Sequence, residues 1–174
     1  RGVGFVYIKS GKKISPLLNG GGQESDKRST TENLAGIAAT AKALRLSMEN
    51  LETFTTRTSK MKEIIPEELA KYPDVIIFSG IENFAPHILT FGIKGVRGEV
   101  VVHAFEEYDI YISTTSACSS KAGKPAGTLI AMGVEKSLAQ TAVRISLDAD
   151  NDMSQMEQFL TTFKIIYEKT RKVR

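Results

Sequence analysis

The sequence predicts an α/β (α+β) fold in which helices cover one mostly antiparallel sheet. Two long segments have apolar residues that recur every three or four positions, which is the period of a helix. Short runs rich in β-branched and aromatic residues lie between them and read as strands. The order helix, strands, helix, strand, helix, strand, helix supports a single sheet with helices packed on it.

The N-terminal segment predicts a strand followed by a glycine-rich loop. "GVGFVYI" (2–8) is short, β-branched and aromatic, which is typical of a buried strand. "NGGGQE" (19–24) predicts a loop, because a run of glycines favours turns.

A long helix is predicted next, from Thr30 to Asn50. Its start matches a capping box, in which Ser29 accepts the backbone N–H of Glu32 and the Glu32 side chain reaches back. Five apolar residues recur at helical spacing and define one face: Leu34, Ile37, Ala41, Leu44 and Met48.

Helical sequence continues to Lys62, and Pro66 predicts the first position of a further short helix. Strands are predicted at 74–80, 87–93 and 110–113, and a helix at 98–108.

The last part predicts a short helix over 127–133, a strand over 142–148 and a final helix. The final helix has Asp150 or Asn151 as its predicted N-cap. Its apolar residues step by three and four: Met153, Met156, Leu160, Phe163 and Tyr167.

Composition argues against several functional classes. The net charge of +3 comes from 23 basic and 20 acidic residues interspersed along the chain, so we expect no direct nucleic-acid binding.

No run approaches the roughly 20 apolar residues of a membrane span, so we expect no membrane partner. One cysteine excludes an intramolecular disulfide, which fits a cytoplasmic setting. With only His87 and His103 as further candidate ligands, we expect no metal site.

Four motifs in the same order resemble the C-terminal part of a cysteine desulfurase, a NifS-like enzyme of the class V aminotransferase family. They are "RGVGFVYI", "GGGQESDKRSTTEN", "GVRGEVVVHAFEEYDIYISTTSACSS" and "AVRISL". The resemblance implies the C-terminal small domain of the fold-type I pyridoxal-phosphate transferases. It places the last strand and active-site loop of the large domain at 1–30, linking helices at 30–62 and the small domain at 63–174.

The resemblance also implies a reaction and the residues that perform it. Pyridoxal 5'-phosphate (PLP) and L-cysteine would give L-alanine and a persulfide on Cys118, the family's nucleophile. Arg144 would bind the substrate carboxylate, and Thr31 would contact the cofactor phosphate from the partner subunit of a homodimer. The sulfur would pass to an acceptor protein for iron-sulfur clusters, thiolated transfer RNA or other cofactors.

Each assignment has a structural alternative. Cys118 could be a small buried hydrophobe, although its neighbours are polar. Arg144 could form a surface salt bridge on an edge strand, and the residues before the first long helix could only cap it. "NGGGQE" could line the active site or be a plain turn.

Departures from the family pattern affect the expected activity. Thr30 and Thr115 replace glycines that the family commonly has. The family's Schiff-base lysine lies upstream of "GVGF", so we expect this chain by itself to hold no PLP and to be inactive. Two alternatives stay open: a noncatalytic module for dimerisation or acceptor docking, and a selenocysteine lyase or other class V aminotransferase.

Overall fold

A computed structural model describes residues 2–80, 82–114 and 127–172 of the chain. These residues form two compact units, Arg1–Leu51 and Glu52–Arg174. The boundaries predicted from the resemblance, at residues 30 and 63, stay a prediction.

The first unit contains a helical turn, α1 (Gln23–Asp26), and one long helix, α2 (Leu34–Glu49). The predicted capping box at its start is wrong. Asn33 is the N-cap, and its Oδ1 accepts the Gly36 N–H at 3.0 Å. Ser29 is engaged elsewhere, because its hydroxyl donates to the Gly21 carbonyl.

The predicted strand over residues 2–8 does not form. A strand needs a hydrogen-bonded neighbour, and no described residue pairs with this segment. Phe5 and Tyr7 are each 84% exposed. The apolar face of α2 is equally uncovered, and in this unit Ser29 alone among the described residues is buried.

The second unit is built on a four-stranded sheet with the order β1-β2-β4-β3. Its strands are β1 (Val75–Ile77), β2 (Ile88–Ile93), β3 (Ser113–Thr114) and β4 (Ala142–Ser146). Every neighbouring pair is antiparallel, which confirms the predicted sheet.

Five helices accompany this sheet. They are α3 (Leu51–Leu69), α4 (Gly98–Glu106), α5 (Gly127–Ala131), α6 (Lys136–Ala139) and α7 (Met153–Lys172). Pro66 lies inside α3 instead of starting a new helix, so that prediction is wrong. The proline falls in the last turn of α3, where it removes one backbone donor from the helix. The sequence analysis missed α6.

The main core lies between one face of the sheet and helices α3, α4 and α7. Alternate strand residues point into it, because successive side chains of a strand face opposite sides. The sheet contributes Leu89, Phe91, Ile93, Val143 and Ile145. From the helices come Met61, Ile65, Leu69, Val101, Phe105, Met156, Phe159, Phe163, Ile166 and Tyr167. Aromatic rings interlock at its centre, with the Phe91 and Phe163 centroids 5.7 Å apart.

A capping box begins α7, at a position that the sequence analysis missed. The Gln155 N–H donates to Asp152 Oδ1 at 2.8 Å, and the Asp152 N–H donates to Gln155 Oε1 at 3.2 Å. Asp152 is therefore the N-cap, and the prediction of Asp150 or Asn151 is wrong. The side-chain amide of Asn151 also donates to Gln155 Oε1, which holds the residue before the N-cap against the first turn of α7.

Lys62 is a buried cation on the sheet-facing side of α3. Its side chain is 3% exposed, and Nζ donates to the Ala85 carbonyl at 2.5 Å. Nζ also lies 5.5 Å from the centroid of the Phe84 ring. Burial lowers the pKa of the Lys62 ammonium below its usual value, since an apolar surrounding penalises the charged form.

Replacing the N-cap of α7 tests the observed helix start. We expect Asp152→Ala to lower the free energy of unfolding by about 1 kcal/mol, because the Gln155 N–H loses its acceptor. Asp150→Ala is the matched control, since Asp150 is exposed and only two residues away. Urea denaturation of both variants measures the difference. An equal or larger loss in the Asp150 variant would contradict the assignment.

The burial of Lys62 predicts a pH-dependent effect of Lys62→Met. Because the pKa is lower in the folded than in the unfolded chain, burying the charge costs stability at neutral pH. This cost falls as the pH rises through the folded pKa towards 10.5. The stability of the variant relative to the unmodified chain should therefore decline over that range. Thermal unfolding at several pH values measures it, with Lys60→Met at an exposed site as the control. A difference that stays constant with pH would refute the prediction.

Candidate functional site

Arg144 lies in the middle of the central strand β4. It pairs with Thr90 of β2 on one side and with Ser113 of β3 on the other. The alternative of a salt-bridge arginine on an edge strand is therefore wrong, because β4 has a neighbour on each side. Val143 and Ile145 point into the core, so Arg144 faces the opposite side of the sheet.

The guanidinium of Arg144 has an unsatisfied donor. Its Nε is buried, and among the described residues it has neither a hydrogen-bond partner nor an ion pair. A buried donor without a partner is costly, and Arg can donate but not accept. This arrangement fits an anion, above all a carboxylate, which two parallel N–H groups can bind.

Apolar groups cover the neighbouring part of the same sheet face. Leu129, Ala139 and Ala142 form a small buried cluster with Phe78 packed against it. Gly92 lies opposite Ala142, and a side chain there would collide with the Thr141 hydroxyl. This face of the sheet is therefore apolar around these residues and polar along the row that contains Arg144.

Cys118 and Thr115 lie outside the described residues. Strand β3 ends at Thr114, four positions before Cys118 in the sequence. The polar segment that carries the predicted nucleophile therefore starts beside Arg144, since Ser113 is the strand partner of Arg144. No statement about the thiol itself follows from the described residues.

Thr31 is exposed, and its hydroxyl makes no hydrogen bond with a described residue. The helix start offers few free amides, because Asn33 holds the Gly36 N–H and the Leu34 N–H donates to Glu32. The contact of Thr31 with a cofactor phosphate stays a prediction. An unengaged hydroxyl still fits a phosphate oxygen.

The neighbouring Thr30 has a backbone conformation that favours glycine. Its φ is 153°, which L-residues with a side chain rarely adopt. This is the position at which the family commonly has glycine. The Arg28 guanidinium donates to the Thr30 hydroxyl, which places a cation beside Thr31 in the chain.

The glycine-rich segment is a closed loop that Ser29 holds together. The Ser29 N–H donates to the Leu18 carbonyl at 3.2 Å, and its hydroxyl donates to the Gly21 carbonyl at 2.7 Å. Glu24 and Ser25 inside the loop have left-handed backbones, with φ of 52° and 54°. "NGGGQE" is thus a defined loop and not a simple turn.

The two histidines of the chain have a structural role or no assigned role. His103 is exposed and lies 2.7 Å from a carboxylate oxygen of Glu106. His87 Nδ1 is buried without a partner, and its ring contacts Phe54. Among the described residues, no group of His, Cys, Asp and Glu is arranged to hold a metal ion. None of the described helices is both long and apolar enough to cross a bilayer.

A pocket of about 210 Å³ opens beside the strand ends, between 109–112, 145–147 and the start of α7. Arg144 does not line it. Among its polar lining residues, Asn151, Asp152 and Gln155 bond with one another at the cap of α7. Thr31 does not line the pocket either, so it contains neither of the described site residues that the sequence predicted.

The sequence analysis missed Thr90 as a neighbour of Arg144. One signal was available, since Thr90 is the polar residue inside the apolar run "ILTFGI" of β2. Periodicity alone could place Thr90 on the face opposite the core, but it could not identify Arg144 as its partner.

Comparison with known families and proteins gives a consistent match. The family described as "Aminotransferase class-V" matches residues 1–159. A "NifS/IcsS protein homolog" of Lactobacillus delbrueckii subsp. bulgaricus is 47% identical over 174 residues, which are 99% of this chain and 45% of that protein. A "Cysteine desulfurase IscS" of Clostridium botulinum is 33% identical over 177 residues, covering 99% of this chain and 44% of that protein.

Solved structures share the fold. A "NifS-like protein" superposes with a TM-score of 0.77 and 31% identity, covering 93% of this chain and 41% of that one. Another, from Rickettsia africae, has a TM-score of 0.71 and 30% identity, covering 90% and 41%. The predicted fold class is confirmed. The chain spans less than half the length of the relatives that it matches.

The unsatisfied guanidinium predicts that Arg144 costs stability. We expect Arg144→Met to raise the free energy of unfolding by roughly 1–3 kcal/mol, because it removes a buried donor that lacks a partner. Arg57→Met is the matched control, since Arg57 Nη1 donates to the Ala149 carbonyl at 2.6 Å and that bond would be lost. Chemical denaturation should therefore give shifts of opposite sign. A loss of stability in the Arg144 variant would show that its guanidinium is paired.

Proposed function

Because this chain belongs to the aminotransferase class-V family, as its four motifs predicted, we propose that it is part of a PLP-dependent cysteine desulfurase. The whole protein would remove sulfur from L-cysteine to give L-alanine and a persulfide on Cys118. The observation that carries this proposal is the Nε of Arg144, which is buried and has no hydrogen-bond partner among the described residues. Such a donor would suit a carboxylate.

Arg144 would bind and orient the amino acid through its carboxylate. A planar fork of N–H groups fixes both the position and the plane of a carboxylate, which a lysine cannot do. Because β4 is hydrogen-bonded on both sides, the Arg144 backbone is held rigidly. Holding a substrate in one orientation lowers the entropic part of the activation barrier.

Thr31 would contact the cofactor phosphate from the partner subunit. Its free hydroxyl can donate to a phosphate oxygen, and Arg28 adds positive charge nearby. PLP, when bound, supplies an electron sink that weakens the bond between carbon and sulfur in the substrate. The lysine that would hold the cofactor belongs to the part of the family pattern that precedes "GVGF".

Cys118 would receive the sulfur as its thiolate. The carbon–sulfur bond of L-cysteine breaks and a sulfur–sulfur bond forms on Cys118. The substrate carbon takes up a proton to become L-alanine, so the step needs no further oxidant or reductant.

The partners of the whole protein follow from this reaction. We propose L-cysteine as substrate, a homodimer as the assembly and a protein as sulfur acceptor, in the cytoplasm. The homodimer is supported by the role of Thr31, which requires a second subunit. Delivery of sulfur to iron-sulfur clusters is one use of such a persulfide.

One observation favours the alternative of a noncatalytic docking or dimerisation module. The first unit exposes many large apolar side chains, including Phe5, Leu17 and Leu34. Exposed apolar surface marks an interaction site. This alternative predicts that the full-length protein binds no PLP, which the absorbance spectrum of the cofactor would reveal.

Replacing the thiol tests the proposed reaction. In the full-length protein with PLP and L-cysteine, the peptide that contains residue 118 should gain the mass of one sulfur atom, and Cys118→Ser should abolish the gain. Ser119→Ala keeps the thiol and serves as the control. Mass spectrometry without reductant, together with an assay for L-alanine, measures both products. Sulfur on the protein of the Cys118 variant would contradict the proposed role.

A further inference from the structure

Two hydroxyl residues flank Arg144 on the same face of the sheet. Thr90 and Ser113 are its direct partners in the neighbouring antiparallel strands. Side chains of directly opposed residues share a face, with Cβ atoms about 4.5–5.5 Å apart. The three residues therefore form one row across β2, β4 and β3, with Arg144 in the middle.

Thr90 bonds with the described residues through its backbone and not through its hydroxyl. The residue is 8% exposed. Its N–H donates to the Ser79 hydroxyl, and its carbonyl accepts the N–H groups of Phe78 and Ser79. The backbone alone makes these bonds, whereas the side-chain hydroxyl bonds with no described residue. Ser113 is half-buried, and its hydroxyl likewise bonds with no described residue.

The unsatisfied nitrogen of Arg144 indicates where a ligand would bind. Nε is the guanidinium nitrogen nearest the backbone. An oxygen bound to Nε therefore lies closer to the sheet than an oxygen bound only to the two terminal nitrogens. Since Nε is the buried atom without a partner, the inner edge of the guanidinium is the edge prepared for a ligand.

From this geometry we propose that Thr90 and Ser113 complete the carboxylate site of Arg144. The carboxylate binds side-on to the inner edge of the guanidinium, and the two hydroxyls donate to its oxygens. A carboxylate can accept about four hydrogen bonds, so the fork and both hydroxyls are compatible. This inference rests on the proposed function and adds two substrate-positioning residues to it.

With the hydroxyls of Thr90 and Ser113, the Arg144 site recognises its substrate through the carboxylate. Hydrogen bonds from neutral donors to a charged group contribute more than those between neutral groups. The hydroxyls act equally on the ground state and on the transition state, because the carboxylate does not react. Their loss should therefore raise KM and leave kcat unchanged.

Steady-state kinetics of the full-length protein with PLP test the proposal. We expect Thr90→Val and Ser113→Ala each to raise KM for L-cysteine roughly 10-fold with unchanged kcat, as for a hydrogen bond to a charged group. The inhibition constant of propionate, which keeps the carboxylate and lacks the amino and thiol groups, should rise by the same factor. Thr90→Ser keeps a hydroxyl, so its KM for L-cysteine and its inhibition constant for propionate should equal those of the unmodified protein.

Two further variants separate this proposal from the proposed function. Thr162→Val removes a buried hydroxyl of α7, away from Arg144, and should change neither constant. Arg144→Lys should raise both KM for L-cysteine and the inhibition constant of propionate. If Arg144→Lys raises KM and the inhibition constant while the Thr90 and Ser113 variants do not, the proposed roles of the two hydroxyls are overturned and carboxylate binding by Arg144 stands. If Arg144→Lys also has no effect, carboxylate binding by Arg144 is refuted. If Thr162→Val has an effect equal to that of the Thr90 and Ser113 variants, the effect comes from packing and the positioning roles are overturned.

Discussion

The register between β2 and β4 is the constraint on which the second unit depends. Pairing Phe91 with Val143 and Leu89 with Ile145 directs all four side chains into the helix-covered core. Because side chains alternate, the same register places Thr90 and Arg144 together on the other face. A slip by one residue would bury the guanidinium and expose the core residues, so packing and site are fixed by one alignment.

This arrangement divides stability and function between the two faces of the sheet. The helix-covered face supplies buried area and interlocked aromatic rings, and the Asp152 capping box strengthens α7. The opposite face carries the Arg144 Nε, a buried donor without a partner among the described residues, which costs free energy. Proteins commonly keep such locally unfavourable groups at their functional sites and compensate for them elsewhere. This pattern supports the role proposed for Arg144.

The first unit follows a different principle, since its order is local. Ser29 closes the glycine-rich loop through two hydrogen bonds, and Asn33 caps α2, without any core beneath them. The apolar residues of segment 2–8 and of α2 have the pattern of buried elements but are exposed. Among the described residues, nothing covers these apolar side chains.

Periodicity and residue type sufficed for most helices and strands of the second unit and for the antiparallel sheet, because these depend on local patterns that the core then satisfies. The family followed from the resemblance of four motifs. Besides the missed α6 and the helix start predicted at Pro66, three local assignments failed because of the partners that the fold provides. Ser29 bonded with Gly21 instead of capping a helix, Asp152 took the cap expected from Asp150 or Asn151, and residues 2–8 lacked a neighbouring strand. The sequence singled out Arg144 by resemblance. The row that Arg144 forms with Thr90 and Ser113 required the folded sheet, because strand pairing joins residues far apart in the chain and no local pattern encodes which of them become neighbours.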